Sequence, residues 1–216
     1  MLYVNAVGSQ TEIVFDGGSM VYDDRGELVA EMKYFDEDAQ LFDLDALYKK
    51  SASDAPLRAA RAYDKEMRVS SLQDPNQVIP YLTAEHNIAQ IHQALILGIR
   101  DYFGKMGFTK AILGSSGGID SAVAVALACE ALGAENVRAV LMPSQYSSDH
   151  SVSDAVQLSK NLGNPYDIVP IKDIYESFLT ALKPIYGDLP FSLAEENLQS
   201  RTRGNLLMAI ANKFGY

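Results

Sequence analysis

Lys110-Ala-Ile-Leu-Gly-Ser-Ser-Gly-Gly-Ile-Asp-Ser121 is the stretch that sets the fold. Lys110 to Leu113 reads as a short strand. Five small residues follow, and Asp120-Ser121 open an apolar run from Ala122 to Leu132 that Gly133 closes as a helix stop. The same alternation continues outward. Val137 to Met142 reads as a second strand. Ser151 starts a helix with Asp154 three residues on and Val152, Ala155, Val156 and Leu158 as its apolar positions, stopped at Gly163. Asp167 to Ile171 reads as a third strand, followed by helices around Ile174–Leu182 and from about Leu193 to Asn212. Upstream, Thr83 is a candidate N-cap. Ile88, Ile91, Leu95, Ile99, Tyr102 and Met106 then recur three or four apart as an apolar helical stripe, ended by Gly107.

Strand and helix in alternation predict an α/β domain, a doubly wound parallel sheet with flanking helices. Ligands of such sheets bind beyond the carboxyl ends of the strands. Three segments meet that description: Gly114–Asp120, Pro143–Asp149 and the stretch after Ile171.

The first 48 residues differ. Leu2–Val7, Glu12–Phe15, Ser19–Tyr22 and Glu27–Glu31 read as short strands separated by Asp16-Gly-Gly18 and Asp23-Asp-Arg-Gly26, the pattern of antiparallel hairpins. So small a sheet needs cover on one face. Residues 49–82 read as a connector, polar at Lys49–Asp54, of mixed character from Ala55 to Met67, and broken by Asp74-Pro-Asn76 and Ile79-Pro80. The expected organisation is 1–48, a linker over 49–82, and 83–216.

The chain has 216 residues, 48% of them hydrophobic and 21% charged, enough to bury a core. A net charge of −10 argues against nonspecific nucleic-acid binding. It leaves room for a small anionic ligand held by backbone N–H groups. One cysteine, Cys129, rules out an internal disulfide framework and suits a reducing cytoplasm. No apolar run approaches the roughly 18 residues of a membrane span, and the N-terminus shows no signal-peptide pattern.

The loop after Leu113 carries the chemistry. Gly117-Gly118 permits a tight turn and close approach to a ligand. The next helix offers free N–H groups and a positive dipole end to an anion. Ser115, Ser116 and Ser121 can donate to phosphate oxygens. Asp120 repels a phosphate, so its sensible partner is a magnesium ion bridging the two. The lysine of a Walker A loop is absent, and Gly-x-Gly-x-x-Gly is not matched. The bland alternative is a small-residue turn capped by Asp or Ser.

Elsewhere the bland readings compete. Ser144, Tyr146 and Ser147 are either plain loop residues or nucleotide contacts. Arg201 and Arg203 are either solvated helix charges or ligand contacts. His86 and His92, six apart, do not share a helical face, and His150 reads as surface. Asp36-Glu-Asp38 reads as a solvated turn and Cys129 as a small core residue. No His/Cys cluster suggests zinc.

Ser116-Gly-Gly-Ile-Asp-Ser121 resembles the pyrophosphate loop of the N-type ATP pyrophosphatases, whose fold is of the adenine nucleotide alpha-hydrolase type. Met142-Pro-Ser-Gln-Tyr-Ser-Ser-Asp149, Glu195-Glu-Asn-Leu-Gln-Ser-Arg-Thr-Arg-Gly204 and Asn212–Tyr216 are similar to segments of the glutamine-dependent NAD synthetases within that group. Tyr3–Gly8 and Glu12–Ser19 look like the closing strands of the nitrilase-type glutaminase domain that precedes the synthetase. The resemblance implies ATP-dependent amidation of deamido-NAD to NAD through an adenylated intermediate. Ammonia would come from glutamine in the intact enzyme. Gly114, Ser115, Ser116, Gly117, Gly118, Ile119, Asp120 and Ser121 would line ATP, Asp120 would bind Mg2+, and Asn197 and Arg201 would bind deamido-NAD. Arg203 stays open, and no residue is assigned a catalytic role.

The resemblance also implies a cytoplasmic homo-oligomer associating through the synthetase domain, with no nucleic-acid or membrane partner. The glutaminase Glu–Lys–Cys triad would lie upstream, and a further ATP- and metal-binding segment would follow Tyr216. On this reading the chain is an inactive internal fragment. The alternatives are a non-catalytic nucleotide-binding fragment and another amidotransferase-linked pyrophosphatase such as GMP synthetase.

Overall fold

The computed structural model describes residues 1–45, Pro80 and 83–216, in two compact units, Met1–Tyr102 and Phe103–Tyr216. The connector expected over 49–82 lies outside the described residues apart from Pro80, and the His86 side chain lies outside them too.

In the first unit the strand-forming runs are short because polar turns interrupt them. β1 (Leu2–Tyr3), β2 (Val7–Gln10), β3 (Ile13–Asp16), β4 (Met20–Tyr22) and β5 (Leu28–Glu31) form two antiparallel sheets, ordered β1-β4-β5 and β2-β3. The β2–β3 hairpin pairs Val7 with Asp16 and Gln10 with Ile13 around Thr11-Glu12. Asp23 closes the next turn, its carboxylate accepting the N–H groups of Arg25 and Glu27 at 2.9 Å each. The Asp36–Asp38 turn is exposed.

Helix α1 spans Glu85–Met106. Ile88, Leu95, Tyr102 and Met106 of the expected stripe are exposed, while Ile96 and Leu97 are buried. The helix is apolar over more than one face, so periodicity alone could not say which face packs. Buried Ser9 on β2 donates its N–H to Asp101 Oδ2 at 2.7 Å, so a helix carboxylate accepts from a buried strand donor.

In the second unit β6 (Ala111–Gly114), β7 (Val137–Leu141) and β8 (Tyr166–Ile168) form a parallel sheet in that order, pairing Gly114 with Val140 and Val140 with Asp167. Helices α2 (Ile119–Leu132), α3 (Asp149–Leu162), α4 (Lys172–Tyr186) and α5 (Leu193–Phe214) follow their strands. Alternation sorts the strand residues. Ala111, Val137, Ala139 and Leu141 pack with Val125, Ala128, Cys129 and Ala155 of α2 and α3. Val140 and Met142 pack with Ile171, Leu206, Leu207 and Ile210 on the side covered by α5. Val137, Val140 and Leu141 are essentially inaccessible, each worth about 1.5–3 kcal/mol of burial. A strand buried on both faces by helices is the expected doubly wound arrangement.

The ends of the elements follow local chemistry. α3 begins at Asp149 rather than Ser151, because Ser148 caps it, accepting the N–H of Ser151 at 3.1 Å. α5 opens on a capping box of Ser192 and Glu195. β8 ends at Ile168, short of the expected Ile171. Pro170 lacks an N–H, and the chain continues through Val169 and Ile171, whose N–H groups bond Leu141 and Pro143 carbonyls at 2.8 and 2.9 Å. Arg138 on β7 pins the end of α5. Its Nη1 meets Asp167 Oδ2 at 2.6 Å and its Nε donates to the Tyr216 hydroxyl at 2.7 Å. Those two partners, the Tyr216 hydroxyl first, push the guanidinium pKa up.

Candidate functional site

The site lies at the carboxyl ends of β6 and β7. Ser115 leaves β6 with its N–H still bonded to Val140 O at 2.9 Å, so the loop root stays registered to the sheet. Beyond it the chain turns through Gly117, whose φ is +84°. A Cβ there would overlap the Ser151 backbone, so only glycine lets the loop lie against the start of α3. Gly118 is the N-cap of α2 at φ −82° and ψ 157°, with no side-chain cap among the described residues. The first helical bond is made by Ala122 N–H to Gly118 O, at 3.1 Å. The N–H groups just before it point out of the helix end, where an anion is favoured.

The serines divide by role. Ser121 Oγ donates to Gly118 O at 2.9 Å and accepts the Ser116 N–H at 3.2 Å. With its proton so used, the 3.1 Å contact between the two hydroxyls has Ser116 donating. Ser116 Oγ also accepts the Gly118 N–H at 3.3 Å. This pair therefore shapes the loop, and phosphate donation by either requires it to open. Ser115 is 4% exposed, and its Oγ has no hydrogen-bond partner among the described residues. An unsatisfied buried hydroxyl costs about 1–3 kcal/mol, so this one is a donor awaiting an acceptor.

A cavity of about 590 Å³ opens beside it, within the range of small-molecule sites. Its floor is Gly114–Ser116 of the loop and Val140–Pro143 at the end of β7. Ser147, Ser151 and Val152 form one wall, and Ser200, Arg203, Gly204 and Leu207 of α5 form the other. Ser144 and Tyr146 do not line it. The Ser147 hydroxyl accepts the Ser144 N–H at 3.0 Å, and the Tyr146 ring meets Phe191 edge-on at 6.5 Å.

Asn197 and Arg201 are exposed, and neither lines this cavity. They sit one turn apart on α5, with a long 3.5 Å contact from Arg201 Nη1 to Asn197 O. The 3.6-residue period turns Ser200, Arg203, Gly204 and Leu207 toward the cavity and leaves Asn197 and Arg201 on another side. Arg203 is half-buried and donates Nε–H to Met142 O at 3.1 Å. Burial pushes its pKa down, and no carboxylate pairs with it among the described residues. Its helical spacing to Leu206, Leu207 and Ile210, which pack against the sheet, was the signal in the sequence, though the phase of the helix had to come from the structure.

Asp120 is exposed in the first turn of α2. Among the described residues no cluster of three or more His, Cys, Asp or Glu could hold a metal alone. A single exposed carboxylate such as Asp120 leaves room around an ion for water and ligand phosphates, the usual habit of magnesium. The orphaned Ser115 hydroxyl in the cavity lining and the uncapped α2 terminus just beyond the lining loop fit a phosphorylated ligand. His92 and His150 are exposed, and His150 does not line this cavity. Cys129 is buried among Ala111, Val125 and Val137, its thiol pKa pushed up by burial. No described helix is long and apolar enough to cross a membrane.

Comparisons with known proteins place the chain in a family. The family described as NAD synthase matches residues 91–216. A glutamine-dependent NAD(+) synthetase of Synechocystis is 46% identical over 216 residues, covering 100% of this chain and 34% of that protein. Its counterpart in Thermotoga maritima is 41% identical over 229 residues, covering 100% of this chain and 39% of that protein. The glutamine-dependent NAD+ synthetase of Acinetobacter baumannii, solved with adenosine diphosphate, superposes with a TM-score of 0.80 at 39% identity over 99% of this chain and 36% of that one. The chain thus spans about a third of the length of the curated relatives it matches. A family match over more than half its residues makes this chain a member of the NAD synthase family.

Proposed function

We propose that the chain contributes the nucleotide half of a synthetase site that converts deamido-NAD to NAD, using ATP and Mg2+. The observation that carries this reading is the Gly114–Ser121 loop, which ends β6, presents the uncapped start of α2 and borders a cavity with an unsatisfied buried hydroxyl. The relatives' shared name supplies the reaction, and adenosine diphosphate in the Acinetobacter protein supports the nucleotide.

The chemistry then follows. A carboxylate is a poor electrophile. Its oxygen attacks the α-phosphorus of ATP, the bond from that phosphorus to the bridging oxygen breaks, and pyrophosphate leaves with the electron pair. Ammonia attacks the resulting acyl adenylate, giving the amide, AMP and a proton. Gly114 to Ser121 hold the phosphates, with Ser115 Oγ and the α2 N–H groups as donors where charge accumulates. Asp120 would hold Mg2+, which when bound would offset negative charge on the phosphates. Asn197 and Arg201 bind deamido-NAD from the exposed side of α5, where a large ligand has access.

In this reading residues 1–48 are the end of a nitrilase-like glutaminase domain, 49–82 a linker and 83–216 the synthetase domain. Glutamine supplies the ammonia in the longer enzyme, which works in the cytoplasm as a homo-oligomer. The test is ATP consumption with AMP formation in the enzyme that contains this chain. Turnover that requires deamido-NAD supports the reading. Turnover with xanthosine monophosphate instead places the chain with GMP synthetases, and binding without turnover makes it a nucleotide-binding module.

A further inference from the structure

Arg203 is a cation half-buried in the wall of the nucleotide cavity, on an acidic protein, with no carboxylate beside it among the described residues. Among the described residues its one hydrogen bond goes from Nε to the carbonyl of Met142 at 3.1 Å. That bond fixes the plane of the guanidinium and leaves both Nη groups unbonded among the described residues. A desolvated cation without an anion is costly, and burial already disfavours its charge. Among the described residues its surroundings supply hydroxyls, apolar groups and backbone but no carboxylate, so its anion belongs to a ligand.

Position says which part of the ligand. Met142, Gly114 and Leu207 meet at the root of the loop: a Cβ on Gly114 would stand 3.3 Å from Met142 Cε and 3.5 Å from Leu207 Cδ1. The cavity lining ends at Ser116, whereas the free N–H groups of α2 begin beyond Gly118. Distal phosphates therefore go to the helix terminus, and the phosphate nearest the nucleoside remains at the root, beside Arg203 and Ser115.

Resting on the ATP reading above, we infer that Arg203 binds the nucleoside-proximal phosphate of the nucleotide, with the Met142 carbonyl as the strut that holds its guanidinium in place. Arg203 thereby acts at the α-phosphorus, which keeps its phosphate through adenylation and ends in AMP. The Arg201 beside it in sequence takes no part in this contact.

Calorimetry with ATP, AMP and adenosine tests this on three proteins: wild type, Arg203→Gln and Arg203→Lys, each first shown to melt like the wild type without ligand. Gln can still donate to Met142 O but carries no charge, while Lys keeps the charge. The inference requires Gln to weaken ATP and AMP by roughly ten- to a hundredfold, the loss of a charge-assisted bond. Adenosine should stay within about twofold, and Lys should bind AMP better than Gln does. Equal weakening of all three ligands, an unchanged AMP affinity in Arg203→Gln, or Gln binding AMP better than Lys would each overturn it. A wild type that binds no adenine nucleotide overturns the ATP reading as well. A wild type that binds ATP as tightly as Arg203→Gln does overturns this inference alone.

Discussion

Gly117→Ala and Gly118→Ala should behave differently, though the two glycines are adjacent and look equivalent in sequence. Gly117 sits at φ +84°, and any Cβ there meets the Cα, C and O of Ser151. The backbone conformation alone costs an alanine about 1–2 kcal/mol. The obstacle is main chain at the first turn of α3, which cannot rotate away, and overpacking of that kind adds about 1–3 kcal/mol. Gly117→Ala should therefore lose about 2–5 kcal/mol of stability. Gly118 has φ −82°, and its added Cβ would lie 3.4 Å from Ser116 Oγ, an ordinary contact. As an N-cap, alanine is worse than glycine by about 0.5–1 kcal/mol, offset by about 0.4–1 kcal/mol from the stiffer unfolded chain. Its net change should stay within about 1 kcal/mol. Urea unfolding followed by far-UV circular dichroism measures both, with the m-value checked for constancy. A Gly117→Ala protein as stable as the wild type, or equal losses in both variants, would refute the reasoning about how the loop lies on α3.

Asp120→Ala should abolish magnesium-dependent ATP binding and leave the melting curve unchanged, since Asp120 is exposed; calorimetry with and without Mg2+ checks it. Ser192→Ala should cost about 0.5–2 kcal/mol by removing the α5 cap, read as a lowered urea midpoint. The Glu195 carboxyl is held below its usual range by the Ser192 N–H first, so its contribution to the cap is present above the ordinary carboxylate pKa and lost as pH falls through the depressed value. An NMR titration of that carboxyl should show the midpoint below an exposed glutamate's, and a normal or raised midpoint would contradict the capping account. Cys129, buried with its thiol pKa pushed up, should react with a thiol reagent only at the rate of unfolding, and fast labelling of the native protein would contradict its placement in the core.

Much of the fold was legible because β6, β7 and their helices carry unmixed signals. Val137 to Leu141 is apolar enough to be buried on both faces, and glycines follow α2 and α3. The loop after β6 was legible from its small residues alone. What the sequence could not convey was orientation. Ser116 and Ser121 read as phosphate donors and bond each other in the structure, while of the three loop serines Ser115 Oγ is the one without a partner among the described residues. Arg201 and Arg203 differ by two positions, and a 200° turn of the helix separates the exposed one from the one in the cavity wall. Deciding between them needs the phase of α5 against the sheet, which Leu207 on one side and the Arg138–Tyr216 bond at the helix end fix only in three dimensions. The α1 stripe misled for the same reason: Ile96 and Leu97 are buried, while Ile88, Leu95 and Tyr102 on the expected line are exposed.

The most direct measurement is a calorimetric titration of ATP into the folded protein, with Mg2+ and then with a chelator. Saturable binding at one site per chain that requires Mg2+ is the result expected if Gly114–Ser121 and the cavity beside them hold a nucleotide. A folded protein that takes up no ATP, or takes it up equally without Mg2+ and in Asp120→Ala, would contradict the central claim.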